Sequence, residues 1–275
     1  MKLTIYSRVK LNNGVEMPYL GLGVYLAASG QETQQAVKHA LQVGYRLIDT
    51  ASMYDNEYDV GKVIRESPIP RQEIFVTTKL WNSDHGYDKS IKAFQKSLER
   101  LGLEYIDLYL IHWPVEGLRR DSWRALETLL DSGKCRAIGV SNYMIHHLEE
   151  LLGYARIIPA VNQVEFTPFL YLKDLLDFCR THRIQLESYS PLTRGKKFNH
   201  PLLQELSKKY RKTPAQILIR WNLEHQVVVI PKSSRPERIE ENADVFDFNI
   251  AEKDMQALDG LHQNYRVSWN PTRIP

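Results

Sequence analysis

The chain has 275 residues, of which 43% are hydrophobic and 25% charged, and its formal net charge is +3. This composition excludes a disordered chain, and no apolar run reaches the ~18 residues of a membrane helix or forms the centre of a signal peptide. Because the small positive charge is spread along the chain, it also argues against nucleic-acid binding, and we expect a cytoplasmic protein without nucleic-acid or membrane partners.

The chain begins with the signature of a β-hairpin. In RVKLNNGVEMP, the dipeptide Asn13-Gly14 lies between two short alternating segments, and tight hairpin turns favour Asn-Gly. From Gly21 onward, short strand-like runs alternate with longer segments of helical period. That alternation predicts a parallel α/β sheet or barrel, and the length is close to the ~250 residues of a (β/α)₈ barrel.

Eight strand candidates follow the hairpin, and their near-continuous apolar character is expected of parallel strands that are covered on both faces. In chain order they are LGLGVY, YRLID, IFVTTK, IDLYLIH, RAIGVSN, AVNQVE, IQLESYS and VVVIPK. The segments between them carry helical stripes, for example Ile91, Phe94, Leu98 and Leu101, or Trp123, Leu126, Leu129 and Leu130. No linker-like segment interrupts this order.

Capping signals mark two of the helix starts. Ser29 with Glu32, and Thr213 with Gln216, have the spacing of a capping box, in which two side chains satisfy free backbone N–H groups. Pro214 fits the first helical position after Thr213. We therefore expect these helices to begin just after Ser29 and Thr213.

The two cysteines and nine histidines give no sign of a disulfide or a metal site. Cys135 and Cys179 are not in a CxxC pair, so we expect two small core residues. His146-His147 lacks the spacing of a zinc motif, so we expect no metal.

Polar residues gather where the apolar runs stop. In order these are Asp49, Lys79, His112, Ser141-Asn142, Gln163-Glu165, Tyr189-Ser190 and Lys232-Ser233. Each one alone has an ordinary explanation as a helix cap, a solvated lysine or a packed ring. In an eight-stranded parallel barrel, however, all of them share the C-terminal rim, where barrel enzymes hold their active sites. Together they predict a functional site.

The first of these residues suggest proton chemistry with Tyr54. A phenol has a pKa near ~10 and is a weak acid unless a cation stabilises the phenolate. Lys79 is a candidate for that cation and Asp49 for its counter-ion, while His112 could hydrogen-bond a substrate oxygen. This set holds no nucleophile and no source of electrons, so it needs a hydride donor.

A dinucleotide would need an unusual binding site, because GLGVYL stops short of the Rossmann GxGxxG motif. The segment IPKSSRPERIEEN is the best candidate for its phosphate end. Lys232 and Ser233 precede a predicted helix start at Ser234, and Arg238 follows on the first turns. Helix N-termini favour anions, and barrels often bind phosphate in their last loops.

Taken together, the motifs resemble the aldo-keto reductase family over nearly the whole chain. They are LNNGVEMPYLGLGVY, GYRLIDTASMYDNEYDVG, TTKLWN, LGLEYIDLYLIHWP, IGVSN, VNQVE, YSPL and IPKSSRPERIEEN. The resemblance implies a (β/α)₈ barrel with an N-terminal hairpin, one domain over residues 1–275, and a monomer. It also implies NADPH-dependent reduction of aldehydes or ketones, including α-dicarbonyl and keto-sugar substrates.

The resemblance assigns roles residue by residue. Asp49, Tyr54, Lys79 and His112 match the catalytic tetrad, with Tyr54 as general acid. The cofactor positions are Gly23, Val24, Ser141, Asn142, Gln163, Tyr189, Ser190, Leu192, Lys232, Ser233, Arg238, Glu241 and Asn242. Lys232 and Arg238 favour NADPH over NADH, because two cations suit a 2′-phosphate. Tyr25, Trp81 and Trp113, and also Trp269, are candidates for the walls of the substrate pocket.

The chain departs from the family pattern near the substrate side. Thr167 replaces a common histidine, and Thr193 replaces a common glycine, so we expect the loop after the seventh barrel strand to take a different path. Two other functions stay open at this point. One is a cofactor-binding regulatory subunit with little turnover, and the other is a barrel glycosidase that uses Asp49, Glu165 or Glu187 as its carboxylate pair.

Overall fold

A short antiparallel hairpin covers the N-terminal end of the fold. The computed structural model describes residues 3–275, and within them β1 (Arg8–Lys10) pairs with β2 (Glu16–Pro18). The N–H of Gly14 donates to the carbonyl of Leu11, and Gly14 takes a φ of 88°. The predicted hairpin is confirmed, with Asn12 and Asn13 at the centre of its turn and Gly14 in the left-handed position.

Eight parallel strands form the barrel, as the sequence predicted. They are β3 (Leu22–Gly23), β4 (Leu47–Asp49), β5 (Phe75–Leu80), β6 (Ile106–Ile111), β7 (Cys135–Ser141), β8 (Val161–Glu165), β9 (Gln185–Tyr189) and β10 (Val228–Ile230). Each strand pairs with its neighbour in chain order. The bridges Leu20 to Val229 and Gly23 to Lys232 join the first strand to the last and close the ring.

Helices surround the barrel. They are α1 (Gln31–Val43), α2 (Glu57–Glu66), α3 (Tyr87–Leu101), α4 (Arg119–Asp131), α5 (Ile145–Tyr154), α6 (Lys173–Thr181), α7 (Pro201–Tyr210), α8 (Pro214–Glu224), α9 (Pro236–Ala243) and α10 (Glu252–Asp259). The predicted stripes face inward: Phe94, Leu101, Trp123 and Leu126 are fully buried between helices and strands. This order of strands and helices is the (β/α)₈ barrel that was expected.

The helix starts follow the predicted caps in one case of two. The side chain of Thr213 accepts from the N–H of Gln216, and that of Gln216 accepts from the N–H of Thr213, as a capping box requires. The prediction for Ser29 is wrong, because Gly30 is the N-cap and the hydroxyl of Ser29 donates to Asp59 at 2.8 Å. Asp59 lies on α2, so this hydrogen bond connects the loop before α1 with helix α2.

The interior of the barrel is apolar below and polar above. Leu11 and Met17 from the hairpin pack with Leu47, Phe75 and Leu108, so the hairpin closes the lower end. The polar residues at the C-terminal ends of the strands lie at the other end of the barrel. The plugged lower end leaves the upper rim as the place where a ligand can enter.

The cysteines form no disulfide bond in the part of the chain that the structure describes. Cys135 and Cys179 are buried and unpaired. Over residues 3–275, no helix is long and apolar enough to cross a membrane. The same residues contain no group of three or more His, Cys, Asp or Glu side chains that could hold a metal ion.

Gly61 gives a direct test of the packing between α2 and α3. A Cβ atom at this position would lie 1.9 Å from the carbonyl oxygen of Leu101, which is backbone and cannot move aside. We expect Gly61→Ala to lower the free energy of unfolding by about 1–3 kcal/mol, despite the better helix propensity of alanine. Urea unfolding of the variant measures this.

Gly153, near the end of α5, is the matched control, because an added Cβ there meets no atom within 4 Å. Gly153→Ala should raise the free energy of unfolding by up to about 1 kcal/mol. Equal effects of the two alanines would contradict the close helix contact.

Candidate active site

A buried ion pair lies at the centre of the rim. Asp49 ends β4, and Lys79 lies in the neighbouring strand β5. The ammonium of Lys79 donates to Oδ1 of Asp49 at 2.7 Å and to the carbonyl of Thr50 at 2.9 Å. The Lys79 side chain has no exposed surface. Since burial of an unpaired ammonium is costly, Asp49 is the partner that stabilises Lys79 at this depth.

Tyr54 reaches the ion pair from the loop after β4. A short 3₁₀ turn, Ser52–Tyr54, returns the chain over the barrel, and the hydroxyl of Ser52 donates to the carbonyl of Lys79 at 3.0 Å. The ammonium of Lys79 lies 5.0 Å from the centre of the Tyr54 ring. The ring of His112, directly after β6, lies 5.8 Å from that of Tyr54. The structure therefore brings all four predicted catalytic residues together.

Asn56 holds this loop in place, although the sequence analysis did not single it out. Its side chain is fully buried, donates to the carbonyls of Val24 and Ala27, and accepts from the hydroxyl of Thr50 at 2.7 Å. These bonds connect the loop that carries Tyr54 to the loop after β3. A polar residue in a loop has many possible roles, so the sequence carried no specific signal for this one.

Burial raises the pKa of Tyr54 well above its ordinary value, and the negative charge of Asp49 raises it further. Lys79 was expected to lower this pKa. The net shift is upward instead, because burial and the charge of Asp49 both act in that direction. At neutral pH the phenol therefore keeps its proton and is a donor.

His112 shifts in the opposite direction. Burial lowers the pKa of His112 well below its ordinary value, and the positive charge of Lys79 lowers it further. The ring is therefore neutral at neutral pH and carries one N–H donor. Together with the Tyr54 phenol, it offers two uncharged donors above a fixed ion pair.

Gln163 connects the ion pair to a second buried carboxyl group. Its side-chain nitrogen donates to Oδ2 of Asp49 and to Oε2 of Glu187, both at 2.8 Å. Burial, followed by the charge of Asp49, raises the pKa of Glu187 to about 8. Since both N–H groups of the amide are used, the Gln163 side chain can only accept a hydrogen bond from a ligand in the cavity.

Ser141 and Asn142 are held beside Gln163. The hydroxyl of Ser141 donates to the backbone carbonyl of Gln163 at 2.8 Å. The amide of Asn142 donates to the carbonyl of His112 at 2.9 Å, and its oxygen accepts from the hydroxyl of Tyr189 at 2.7 Å. Asn142 has a φ of 64°, a left-handed conformation that asparagine tolerates. This network fixes Tyr189 at the cavity wall.

A cavity of about 420 Å³ opens above these residues. Its lining includes Asp49, Tyr54, His112, Ser141, Asn142, Gln163, Tyr189, Gly23 and Met53. The predicted wall residues Tyr25, Trp81, Trp113 and Trp269 also line it. Their rings are close, with Trp113 5.5 Å from Trp269 and Tyr25 4.9 Å from Tyr54. The mouth is therefore aromatic, and 62% of Trp269 is exposed.

A second groove, of about 800 Å³, continues from the first. It is lined by the remaining predicted cofactor residues Leu192, Ser233, Arg238, Glu241 and Asn242, together with Thr213. Tyr25, Ser190, Arg194, Lys196 and Lys232 line both spaces and mark their junction. Val24 and Lys79 are the exceptions among the predicted residues, because their side chains are buried and line neither space.

The loop after β9 contains a left-handed turn at Thr193, the position where a glycine is common in the family. Thr193 and Arg194 have φ values of 51° and 52°, a left-handed conformation that costs a β-branched residue about 1–2 kcal/mol. The N–H of Lys197 donates to the hydroxyl of Thr193 at 3.3 Å. This turn places Arg194 and Lys196 at the junction of the two spaces.

The helix start at Ser234 is another correction. Helix α9 begins at Pro236, Arg235 is its N-cap, and no side chain caps it. The hydroxyl of Ser233 accepts from the N–H of Arg235 at 3.1 Å instead. Lys232 and Arg238 nevertheless both line the second groove.

Several cavity residues were missed because they come from the C-terminal segment. Arg266, Val267 and Ser268 line the cavity, and nothing in the local sequence indicates this. The carboxylate of Glu165 fixes them, because it accepts from the N–H groups of Val267 at 2.7 Å and Ser268 at 3.1 Å. The contact joins residues about 100 positions apart in the chain, and sequence periodicity does not report such contacts.

Comparison with known proteins identifies the family. The aldo/keto reductase family model matches residues 20–263. A glyoxal reductase of Bacillus subtilis is 51% identical over 274 residues, which cover 100% of this chain and 99% of that protein.

Solved structures agree with this comparison. An aldo-keto reductase from a Medee basin deep-sea metagenome library has a TM-score of 0.94 and 47% identity, covering 98% of this chain and 100% of that one. A Bombyx mori aldo-keto reductase in complex with NADP has a TM-score of 0.91 and 34% identity, covering 97% and 95% of the two chains. The chain belongs to the aldo/keto reductase family.

Proposed function

We propose that the chain is an NADPH-dependent reductase of aldehydes and ketones. The observation that carries this proposal is the protonated Tyr54 beside a neutral His112, above the Lys79–Asp49 ion pair, in a cavity that continues into a groove with basic residues. The glyoxal reductase relative supports small α-dicarbonyl substrates. We also propose keto-sugars as substrates of this reductase.

The chemical step divides between cofactor and protein. When it is bound, NADPH supplies the hydride that the carbonyl carbon accepts. Tyr54 donates its proton to the carbonyl oxygen as negative charge develops there, and the N–H of His112 hydrogen-bonds the same oxygen. Lys79 then offsets the charge of the phenolate that is left. The raised pKa of Tyr54 keeps the phenol protonated at neutral pH, so the proton is present for the transfer.

The residues present suit a nicotinamide dinucleotide. The Gln163 side chain is restricted to accepting, which matches the N–H₂ of a carboxamide. Ser141 and Asn142 would hold the same group, and Tyr189 would stack on the ring. Ser190 and Leu192 would bind the pyrophosphate, together with Arg194 and Lys196 at the junction. Ser233, Lys232 and Arg238 would bind the 2′-phosphate, and Glu241 and Asn242 the adenine.

The substrate would enter between Tyr25, Trp81, Trp113 and Trp269, which surround the mouth. We also propose that residues 1–275 form one domain, and that it works as a cytoplasmic monomer on small carbonyl compounds, without a nucleic-acid partner. The uninterrupted order of strands and helices supports a single domain. The dispersed charge argues against a nucleic-acid partner.

The other functions have less support. A regulatory subunit would not need the complete set of proton donors that the cavity holds. A glycosidase needs two available carboxyl groups. Here Asp49 is paired with Lys79, Glu165 binds the C-terminal segment, and Glu187 is fully buried. An assay of NADPH consumption with reactive aldehydes tests the proposal, and no consumption with any of them would contradict it.

Tyr54→Phe tests the proton donor. Loss of the hydroxyl should lower kcat by about 10²–10⁴-fold, the usual contribution of a general acid, while NADPH affinity stays within about 3-fold. Steady-state kinetics and fluorescence titration measure the two quantities. The control is Tyr58→Phe, since Tyr58 is exposed on α2 and lines neither space. Undiminished reduction by the Tyr54 variant would remove Tyr54 as the acid.

Lys232→Ala tests the 2′-phosphate site. We expect the Kd for NADPH to rise about 10-fold or more, the effect of one charge-assisted hydrogen bond, and that for NADH to change by less than about 3-fold. Arg235→Ala is the control, because Arg235 is exposed close by but lines neither the cavity nor the groove. If both cofactors weaken equally with Lys232→Ala, the assignment is wrong.

A further inference from the structure

Glu187 is a fully buried carboxyl group at the centre of the barrel. It lies on β9, two residues before Tyr189, and in register with Gln163 on β8. Its Oε2 atom accepts from the amide of Gln163 at 2.8 Å. Its Oε1 atom is buried and has no hydrogen-bond partner within residues 3–275. Glu187 has no place in the proton transfer proposed above.

Packing alone does not account for a glutamate at this position. A buried carboxyl group with one unpartnered oxygen costs about 1–3 kcal/mol for each polar atom left without a partner, and an apolar residue avoids that cost. The barrel interior just below is filled by residues such as Leu47, Phe75 and Leu108. Groups that reduce stability in this way are concentrated at functional sites.

The hydrogen bond to Gln163 gives Glu187 a specific effect. An amide can lie in two orientations that exchange its N and O atoms. With acceptors on two sides, Asp49 and Glu187, only the orientation that turns both N–H groups into the barrel satisfies them. The Gln163 oxygen is then left for the cavity, where the proposed carboxamide contact needs an acceptor.

The charges that face Glu187 come from several strands. Asp49 on β4 and Lys79 on β5 act on it most directly, and Glu187 acts in turn on Tyr54. Glu165 and Tyr189 are the remaining titratable groups at the C-terminal ends of β8 and β9. Among these groups only Lys79 is a cation, and Asp49 already occupies it at 2.7 Å.

We propose that Glu187 is a positioning residue for the reduction: as a neutral acid it fixes the Gln163 amide and leaves Lys79 to Asp49 alone. The role rests on the proposed reductase function. When Glu187 ionises, a second carboxylate competes for the single ammonium, and its charge makes Tyr54 a weaker acid. Proton donation then slows.

The direction of the pH effect follows from the Glu187 pKa. Burial raises that pKa to about 8, so the group is neutral below this pH and ionises above it. The pKa of Tyr54 is raised well above 10.0 and that of His112 is lowered well below 6.5, so neither changes its charge near pH 8. Of these three groups, only Glu187 changes its charge as the pH rises through this region.

Glu187→Gln tests this, because glutamine keeps the shape and an acceptor oxygen but cannot ionise. Between about pH 7 and pH 9, kcat for the wild type should fall about 10-fold, as for a single ionisation near the middle of that range. For the variant, the ratio of the rates at the two pH values should stay within about 2-fold. The same fall in both proteins would overturn the proposal.

Glu187→Leu separates positioning from charge. It removes one of the two acceptors, so Asp49 alone holds the Gln163 amide, and the Kd for NADPH should rise about 10-fold compared with Glu187→Gln. Equal NADPH affinity in the two variants would overturn the hydrogen-bonding role. Circular dichroism checks folding, and if the leucine variant does not fold, the pH ratio of Glu187→Gln still decides.

A direct measurement does not depend on turnover. The infrared difference spectrum between wild type and Glu187→Gln at neutral pH should contain the carbonyl stretch of a protonated carboxylic acid, and this band should disappear at high pH. Its absence would overturn the neutral form of Glu187. A wild type that shows the band but reduces no carbonyl would instead contradict the proposed function, so the two failures are distinguishable.

Discussion

The ion pair between Lys79 and Asp49 is the interaction on which the rest of the site depends. Neither charge is stable alone inside the barrel, because burial disfavours an isolated ion by several kcal/mol. Paired at 2.7 Å, each offsets the cost of burying the other. Thr50, Gln163 and Ser52 are then arranged around the pair, through bonds to its polar atoms or to the backbone of Lys79. Tyr54 and His112 lie above it.

The interior of the barrel has an apolar part and a polar part, and the ion pair lies in the polar part. The lower part is an apolar plug, completed by Leu11 and Met17 from the hairpin. The upper part is a network in which many polar side chains bond one another, while Oε1 of Glu187, Nδ1 of His112 and Nε of Arg266 are among the buried atoms without a partner within residues 3–275. A satisfied buried network is rigid, whereas a partly satisfied one is unstable.

Much of this arrangement could be predicted from the sequence, because parallel strands place their C-terminal ends on one rim. That rule alone brought Asp49, Lys79 and His112 together, and the strand pattern fixed the fold. The direction of the Tyr54 pKa shift could not be predicted, since it depends on how deeply the ring is buried and how close Asp49 lies to it. Arg266 and Ser268 were missed because they reach the cavity through Glu165, far away in the chain. The Ser29 cap failed because a tertiary partner, Asp59, took its hydroxyl.

The pKa shifts at the rim share a consequence that no single shift shows. Burial raises the pKa of Tyr54 and Glu187 and lowers that of His112, so at neutral pH all three groups are uncharged. The Lys79–Asp49 pair is then the one pair of opposite charges among these five groups. An oxygen that gains negative charge in the cavity therefore competes for Lys79 with Asp49 alone and not with a second carboxylate. Lys79 can therefore stabilise that oxygen until the proton of Tyr54 has moved. Burial keeps Glu187 neutral, and burial also raises the pKa of the Tyr54 phenol.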